Sequence, residues 1–235
     1  WGFQKFTPEQ TVRGRQVYMA MVSMLDGWIG EILDALQRRA DAENTVVIYT
    51  SDHGDMWGEH GLWGKNLFYE ESSRVPMIVS APSLGVAEGK RVASPVSLVD
   101  VYPTLRDIGG AGDWDVPLDG RSLWGACAAG AELAHEPVFC DYYASDTAGP
   151  ERMIRFENWK LNYYHHQPPV ELYDLSVDPA ERNNLADSDA HAGVRERLLA
   201  MLFADWNPDE IEDDIRRDQN RRTLIGESYR AGVGP

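Results

Sequence analysis

Apolar and polar positions recur along this chain with two different periods, and the places where the period changes mark its elements. In the first 36 residues Val17, Met21, Met24, Leu25, Ile29, Ile32, Leu33 and Leu36 fall on one helical face, the spacing of an amphipathic helix. Thr7-Pro8-Glu9-Gln10 precedes the stripe, giving a capping box with proline in the first turn. The pattern predicts a long helix that packs its methionine-rich stripe on a sheet as core rather than lining a cofactor site. Residues 45–50, Thr-Val-Val-Ile-Tyr-Thr, and 76–80, Pro-Met-Ile-Val-Ser, are short apolar and β-branched runs that predict buried strands. Residues 97–105 predict a helix that returns across their sheet.

Beyond residue 109 the pattern changes. A Gly-, Asp- and Ala-rich stretch over 109–130 reads as a long connection, and short strands follow at 137–143, 153–156, 159–164 and 171–175. Glu157-Asn158 between two of them is a two-residue hairpin turn. Residues 192–206 return to helical spacing, with Val194, Leu198, Leu199, Leu202 and Phe203 on one face. The expected organisation is the end of a large α/β domain over 1–130, a small α+β domain over 131–206 with an antiparallel sheet under a covering helix, and an extension over 207–235.

Composition narrows the function. A chain of 235 residues that is 43% hydrophobic can bury a core. Its formal charge of -16 opposes a nucleic-acid partner, because a phosphate backbone would be repelled. The basic clusters Arg216-Arg217 and Arg221-Arg222 are short and sit among acids. No apolar run approaches the roughly 20 residues of a membrane helix. Two cysteines far apart form no disulfide framework and lack metal-ligand spacing, which tilts the reading toward a reducing compartment such as the cytoplasm and leaves the periplasm and secretion open.

The chemistry concentrates between residues 51 and 76. Asp52 and His53 leave the carboxyl end of the first predicted strand, where ligands collect in open α/β sheets. A carboxylate beside an imidazole offers a divalent cation one hard oxygen and one nitrogen, and Gly54 lets the backbone move away without a Cβ clash. Gly58, Gly61 and Gly64 then punctuate a loop that ends on Lys65, a mobile ammonium suited to a sulfate or phosphate oxygen. Taken singly, Asp52 could cap a turn, His53 could be a satisfied loop residue and Lys65 a solvated surface charge. Together they suit an anionic ester.

This segment, Ser-Asp-His-Gly-Asp-Met-Trp-Gly-Glu-His-Gly-Leu-Trp-Gly-Lys followed by Arg74-Val75-Pro76, resembles the later signature of the sulfatase family within the alkaline-phosphatase-like superfamily. The resemblance extends upstream through 18–26 and downstream through Glu171-Leu172-Tyr173-Asp174-Leu175, Asp178-Pro179 and Asn184-Leu185, and so covers most of the chain. It implies the carboxyl-terminal part of the alkaline-phosphatase-like sulfatase fold, with Asp52 and His53 as metal ligands and Lys65 holding a sulfate oxygen as a catalytic and substrate-binding group. Glu59, His60 and Arg74 fall in matching segments, where supporting roles behind the ligands are expected. The implied metal is divalent, Ca²⁺ first, with Mg²⁺ and Mn²⁺ as alternatives, and the implied substrate is a small sulfate ester.

Sulfatases also carry an earlier Cys-x-Pro-Ser-Arg segment, or its Ser variant, whose Cys or Ser becomes the formylglycine nucleophile. Cys127, in Gly-Ala-Cys-Ala-Ala-Gly, and Cys140, in Val-Phe-Cys-Asp-Tyr, do not match it, and the early paired aspartates are missing too. The chain is therefore expected to be a carboxyl-terminal portion of a sulfatase, inactive alone, with formylglycine outside it. The tail over 207–222 resembles the extension of choline-sulfatase-like enzymes that reaches another subunit, which implies a homo-oligomer; a polar helix on its own protomer is the alternative. Two other functions remain open at this level: a phosphonate monoester hydrolase or phosphodiesterase of the same superfamily, and a non-catalytic assembly module derived from a sulfatase.

Overall fold

A computed structural model of the chain describes residues 6–86, 88–112, 116–143, 147–167, 170–230 and 232. The chain divides into two units, Trp1–His135 and Glu136–Pro235.

In the first unit α1 spans Pro8–Gln37 and begins as its sequence predicts: the Thr7 side chain accepts from the Gln10 amide at 3.2 Å, and the Gln10 side chain accepts from the Thr7 amide at 2.8 Å. Strand β1 (Val47–Thr50) pairs antiparallel with β2 (Met77–Ser80), Val47 opposite Ser80 and Thr50 opposite Met77. Between them lie a loop and a single helical turn, α2 (Glu70–Ser73). The returning helix is α3 (Val101–Ile108), entered through a 3₁₀ turn at Leu98–Asp100 that Ser97 and Asp100 cap reciprocally. The long connection holds an element its composition did not announce, the short helix α4 (Trp124–Ala129); residues 113–115 of it lie outside the described residues.

Two expectations are corrected here. Both strands were expected to be buried, yet β1 is half-buried along its length and β2 alternates, with Ile78 59% exposed. The described sheet of this unit has two strands, so neither strand is covered as an interior parallel strand would be. The α1 stripe was expected on that sheet, yet no α1 residue is buried and Val17, Met21, Met24, Leu25 and Ile32 stay exposed. The amino-terminal half of α1 packs instead on the loop after β1. Phe6 meets Trp63 edge to face at 5.5 Å between ring centroids, and the Tyr18 ring lies 5.6 Å from that of Trp57. Gly14 lets the helix backbone approach closely, since a Cβ there would sit 2.4 Å from the Trp63 ring.

The second unit is a four-stranded antiparallel meander in chain order: β3 (Val138–Tyr142), β4 (Glu151–Phe156), β5 (Trp159–Tyr164) and β6 (Glu171–Asp174). Phe156 pairs with Trp159 across Glu157-Asn158, and Glu157 takes a positive φ of 54°. Side chains alternate between faces along a strand. One face places Ile154, Leu161 and Leu172 side by side across β4, β5 and β6. Helix α5 (Ala192–Leu202) sets Leu198 and Leu202 on them, and Ala186 and Trp206 complete the core. Each such aliphatic side chain, fully buried, contributes about 1.5–3 kcal/mol. The opposite face of β5 buries Lys160 and Asn162 completely, and the Lys160 ammonium lies 2.9 Å from a Glu181 carboxylate that is equally buried. The last helix, α6 (Pro208–Arg230), packs Ile211 against the core, while Leu224, Ile225 and Tyr229 toward its far end are exposed. Among the described residues no helix is long and apolar enough to cross a membrane.

Candidate active site

The loop leaving β1 closes on itself through backbone hydrogen bonds. The Gly54 amide donates to the Ser72 carbonyl at 2.8 Å, the Met56 amide to Gly64 at 2.7 Å and the Gly58 amide to Leu62 at 2.8 Å. Met56 and Phe68 bury their side chains beneath it. Gly54 is required by proximity, since a Cβ there would lie 2.0 Å from the Glu71 carbonyl oxygen. Gly58 and Gly64 take φ of 81° and 90°, a region that L side chains avoid. Lys65 follows directly, and its carbonyl accepts from the Ser72 hydroxyl at 2.6 Å. The backbone on both sides of Lys65 is thus tied to the backbone that carries Asp52 and His53.

The consequence is a three-residue cluster at the end of β1. The Lys65 ammonium donates to His53 Nε2 at 2.6 Å, and an Asp52 carboxylate oxygen stands 3.3 Å from the same nitrogen. His53 Nδ1 lies 2.7 Å from the Gly54 carbonyl oxygen. A carbonyl only accepts, so Nδ1 carries the proton and Nε2 presents its lone pair to the cluster. Asp52 is exposed, and its carboxyl is held below the ordinary value, first by the hydrogen bond from the His53 amide and further by the Lys65 ammonium. The cluster therefore offers an ionised carboxylate, an imidazole lone pair and an ammonium to the same space.

That donor set fits a divalent cation. An oxygen and a nitrogen 3.3 Å apart can share an ion bound at about 2.0–2.6 Å from each. The fixed Nδ1 proton holds the imidazole in the tautomer that ligation needs. Asp52 and His53 would supply two of the ligands of such an ion.

Glu59, His60 and Arg74 lie elsewhere around the loop. Glu59 accepts from Arg15 of α1 at 2.6 Å, and Arg15 also donates to the Trp57 carbonyl at 3.0 Å with its guanidinium over the Trp57 ring. His60, at a positive φ of 51°, stacks on Tyr69 with ring centroids 4.1 Å apart. Arg74 is largely exposed and reaches Glu70 at 3.9 Å. Arg15 is the residue that sequence spacing did not flag: it fastens the loop to α1 from 44 positions away, and its charge beside an apolar stripe was the one signal it left.

Comparison with known proteins places these features. Residues 2–111 match the sulfatase family, and residues 58–206 match the family described as N-sulphoglucosamine sulphohydrolase, C-terminal. The chain belongs to the sulfatase family. It is 37% identical to a choline-sulfatase of Rhizobium meliloti (strain 1021) over 98% of its own length and 45% of that protein's. Among solved structures it is similar to a protein in complex with its substrate D-glucosamine-2-N,6-O-disulfate, with a TM-score of 0.74, 30% identity and coverage of 82% of this chain and 41% of the other. It is also similar to the phosphonate monoester hydrolase of Agrobacterium radiobacter, with a TM-score of 0.71, 29% identity and coverage of 81% and 40%. The chain thus spans less than half the length of each of these relatives. The α/β fold of the alkaline-phosphatase-like sulfatases, expected from the motifs, is the fold these neighbours share.

Proposed function

We propose that this chain supplies part of the active site of a sulfuric ester hydrolase, in which Asp52 and His53 hold a divalent cation and Lys65 binds an oxygen of the sulfate group. The observation that carries this reading is the convergence of the Lys65 ammonium and the Asp52 carboxylate on the His53 Nε2 lone pair. When bound, a divalent ion, with Ca²⁺ first among the choices, supplies Lewis-acid stabilisation of charge on the ester oxygens. Lys65 is exposed on a flexible stem, so its ammonium can exchange the histidine nitrogen for an anionic oxygen. Closure of the loop by backbone bonds holds that charge in place before substrate arrives, the condition under which electrostatic stabilisation is most effective. The nucleophile, a formylglycine by family resemblance, belongs outside these 235 residues. The whole protein is then the catalyst, a small sulfate ester its substrate, and a homo-oligomer its assembly.

Substitutions in the whole protein test the roles. Asp52→Ala is expected to lower metal content and aryl-sulfate turnover together, whereas Lys65→Ala keeps the metal and loses roughly 10²-fold or more in rate. Elemental analysis beside kinetics separates the two; unchanged metal content in Asp52→Ala removes that residue from the ligand set. The phosphonate hydrolase likeness gives the second reading, since a tetrahedral phosphorus ester would meet the same cluster. Parallel kcat/KM values for an aryl sulfate and a phosphate diester decide between them, and the sulfate is expected to be preferred.

A further inference from the structure

A second group of ligating side chains lies in the carboxyl-terminal unit, far along the chain from the Asp52 cluster. At the end of β5 the chain enters a turn, and His166 adopts a positive φ of 64°. Successive residues of a strand point to opposite faces, and the left-handed conformation breaks that alternation. The His165 and His166 rings consequently lie together, their centroids 3.8 Å apart. Backbone strain of this kind in a non-glycine residue persists where the surroundings enforce it, and it gathers at functional sites.

The first turns of α6 complete the group. His166 Nε2 lies 2.8 Å from a Glu212 oxygen. His165 Nε2 lies 3.2 Å from an Asp209 oxygen and 3.8 Å from the same Glu212 oxygen. The ligand atoms of His165, His166 and Glu212 all fall within 4.8 Å of one another, the only such group of three that the described residues form. His165 is 8% exposed, and its Nε2 is buried without a hydrogen-bond partner of acceptable geometry. A buried ring nitrogen left in that condition carries a free-energy cost that a ligand would remove.

We propose that His165, His166 and Glu212, with Asp209 as a fourth ligand, form a binding site for a divalent transition-metal ion of the zinc class, separate from the Asp52 cluster. Two imidazoles with two carboxylates favour a borderline ion such as zinc over Ca²⁺, whose ligands are predominantly oxygens. Tetrahedral zinc, with bonds of about 2.0–2.1 Å, sets its ligand atoms roughly 3.3 Å apart. The observed separations of 2.8, 3.2 and 3.8 Å bracket that value. The surroundings orient the ligands as such sites require. The Tyr163 hydroxyl lies 3.1 Å from His165 Nδ1, so a proton on Nδ1 donated to it leaves the Nε2 lone pair facing the ion. Arg216 donates to the other Glu212 oxygen at 2.5 Å, leaving the first for the histidines. The ion would tie the start of α6 to the end of β5, beside the point where Ile211 meets the core.

The test is titration of the 235-residue chain with ZnCl₂ by calorimetry, and with CoCl₂ by the visible bands of tetrahedral cobalt. An Asp52→Ala/His53→Ala variant serves as the reference, so that the other cluster contributes nothing. One equivalent per chain is expected in the reference, with a rise in thermal midpoint and cobalt bands of tetrahedral nitrogen and oxygen ligation. Adding Tyr163→Phe should weaken binding by about 10- to 100-fold, the usual loss for a group that orients a ligand, and adding His166→Ala or Glu212→Gln should weaken it further. His166 is half exposed, so its replacement leaves the core intact, and circular dichroism checks that it does. Absence of a bound equivalent in the reference, or unchanged affinity in the His166→Ala and Glu212→Gln variants, overturns the proposal and leaves the group an ion-pair cluster.

Discussion

Lys160 and Glu181 lie on the face of the second unit's sheet opposite its apolar core, with side chains wholly removed from solvent. Desolvating an ammonium and a carboxylate costs several kcal/mol each, and their mutual attraction offsets this only while both are present. Lys160→Ala should therefore destabilise the unit by about 3–5 kcal/mol, because it takes the paired cation away from a buried carboxylate, whereas Lys160→Met/Glu181→Leu should lie close to neutral. Urea denaturation of the two variants measures the difference, and equal losses would show that the pair contributes by packing alone. Sequence spacing carried no warning of this pair, since its members lie on a strand and in a loop and look like ordinary surface charges. The residues of the candidate site were more legible: Asp52, His53 and Lys65 were read from one short segment, and that segment brings them together. The partners of Glu59 and His60 were not, because each depends on a charge or ring that the fold brings in, whereas Arg74 reaches only Glu70 one helical turn away.

Elements with a covered apolar face came through clearly. The α5 stripe places Leu198 and Leu202 in the core, with Val194 and Leu199 packed at its edge, while Phe203 remains partly exposed past the helix end. Removing Leu198 leaves a void over β4 and β5, so Leu198→Ala should cost about 2–5 kcal/mol. Thermal unfolding gives the value; a cost below that range would mean that neighbouring side chains collapse into the space. The hairpin at Glu157-Asn158, the capping box of α1 and the start of α5 also follow from local signals. Burial of α1 and of the β1–β2 pair did not follow. Periodicity states which face of an element is apolar; it does not state what lies against that face, and in this chain α1 meets the site loop. Helix α4 was hidden for a related reason, as its six residues are too few for a helical period to stand out from an Ala- and Gly-rich stretch.

The whole molecule carries a formal charge of -16 and a last helix with uneven surroundings. The beginning of α6 is fastened to its own unit through Ile211, Glu212 and Pro208, but Leu224, Ile225 and Tyr229 leave apolar surface in solvent. Exposed apolar groups gathered on a mostly charged helix are a common sign of a protein interface, and closed symmetric pairing is the commonest outcome in soluble homo-oligomers. Deleting residues from Arg221 onward keeps the fastened part and removes the apolar end. In the whole protein this truncation should lower the mass measured by light scattering, and an unchanged mass would assign the helix to its own protomer.

The meander of the second unit also governs how that unit can form. Its strands neighbour one another in chain order, so every strand pairing closes a short loop and no pairing waits for a distant segment. Loop-closure entropy is small at each step, and topologies of this kind fold faster than those joined by remote pairings. A ribosome releasing β3, β4, β5 and β6 in turn would present each new strand to an edge already exposed, with α5 and then Trp206 and Ile211 following to cover the apolar face. The order of synthesis and the order of assembly coincide.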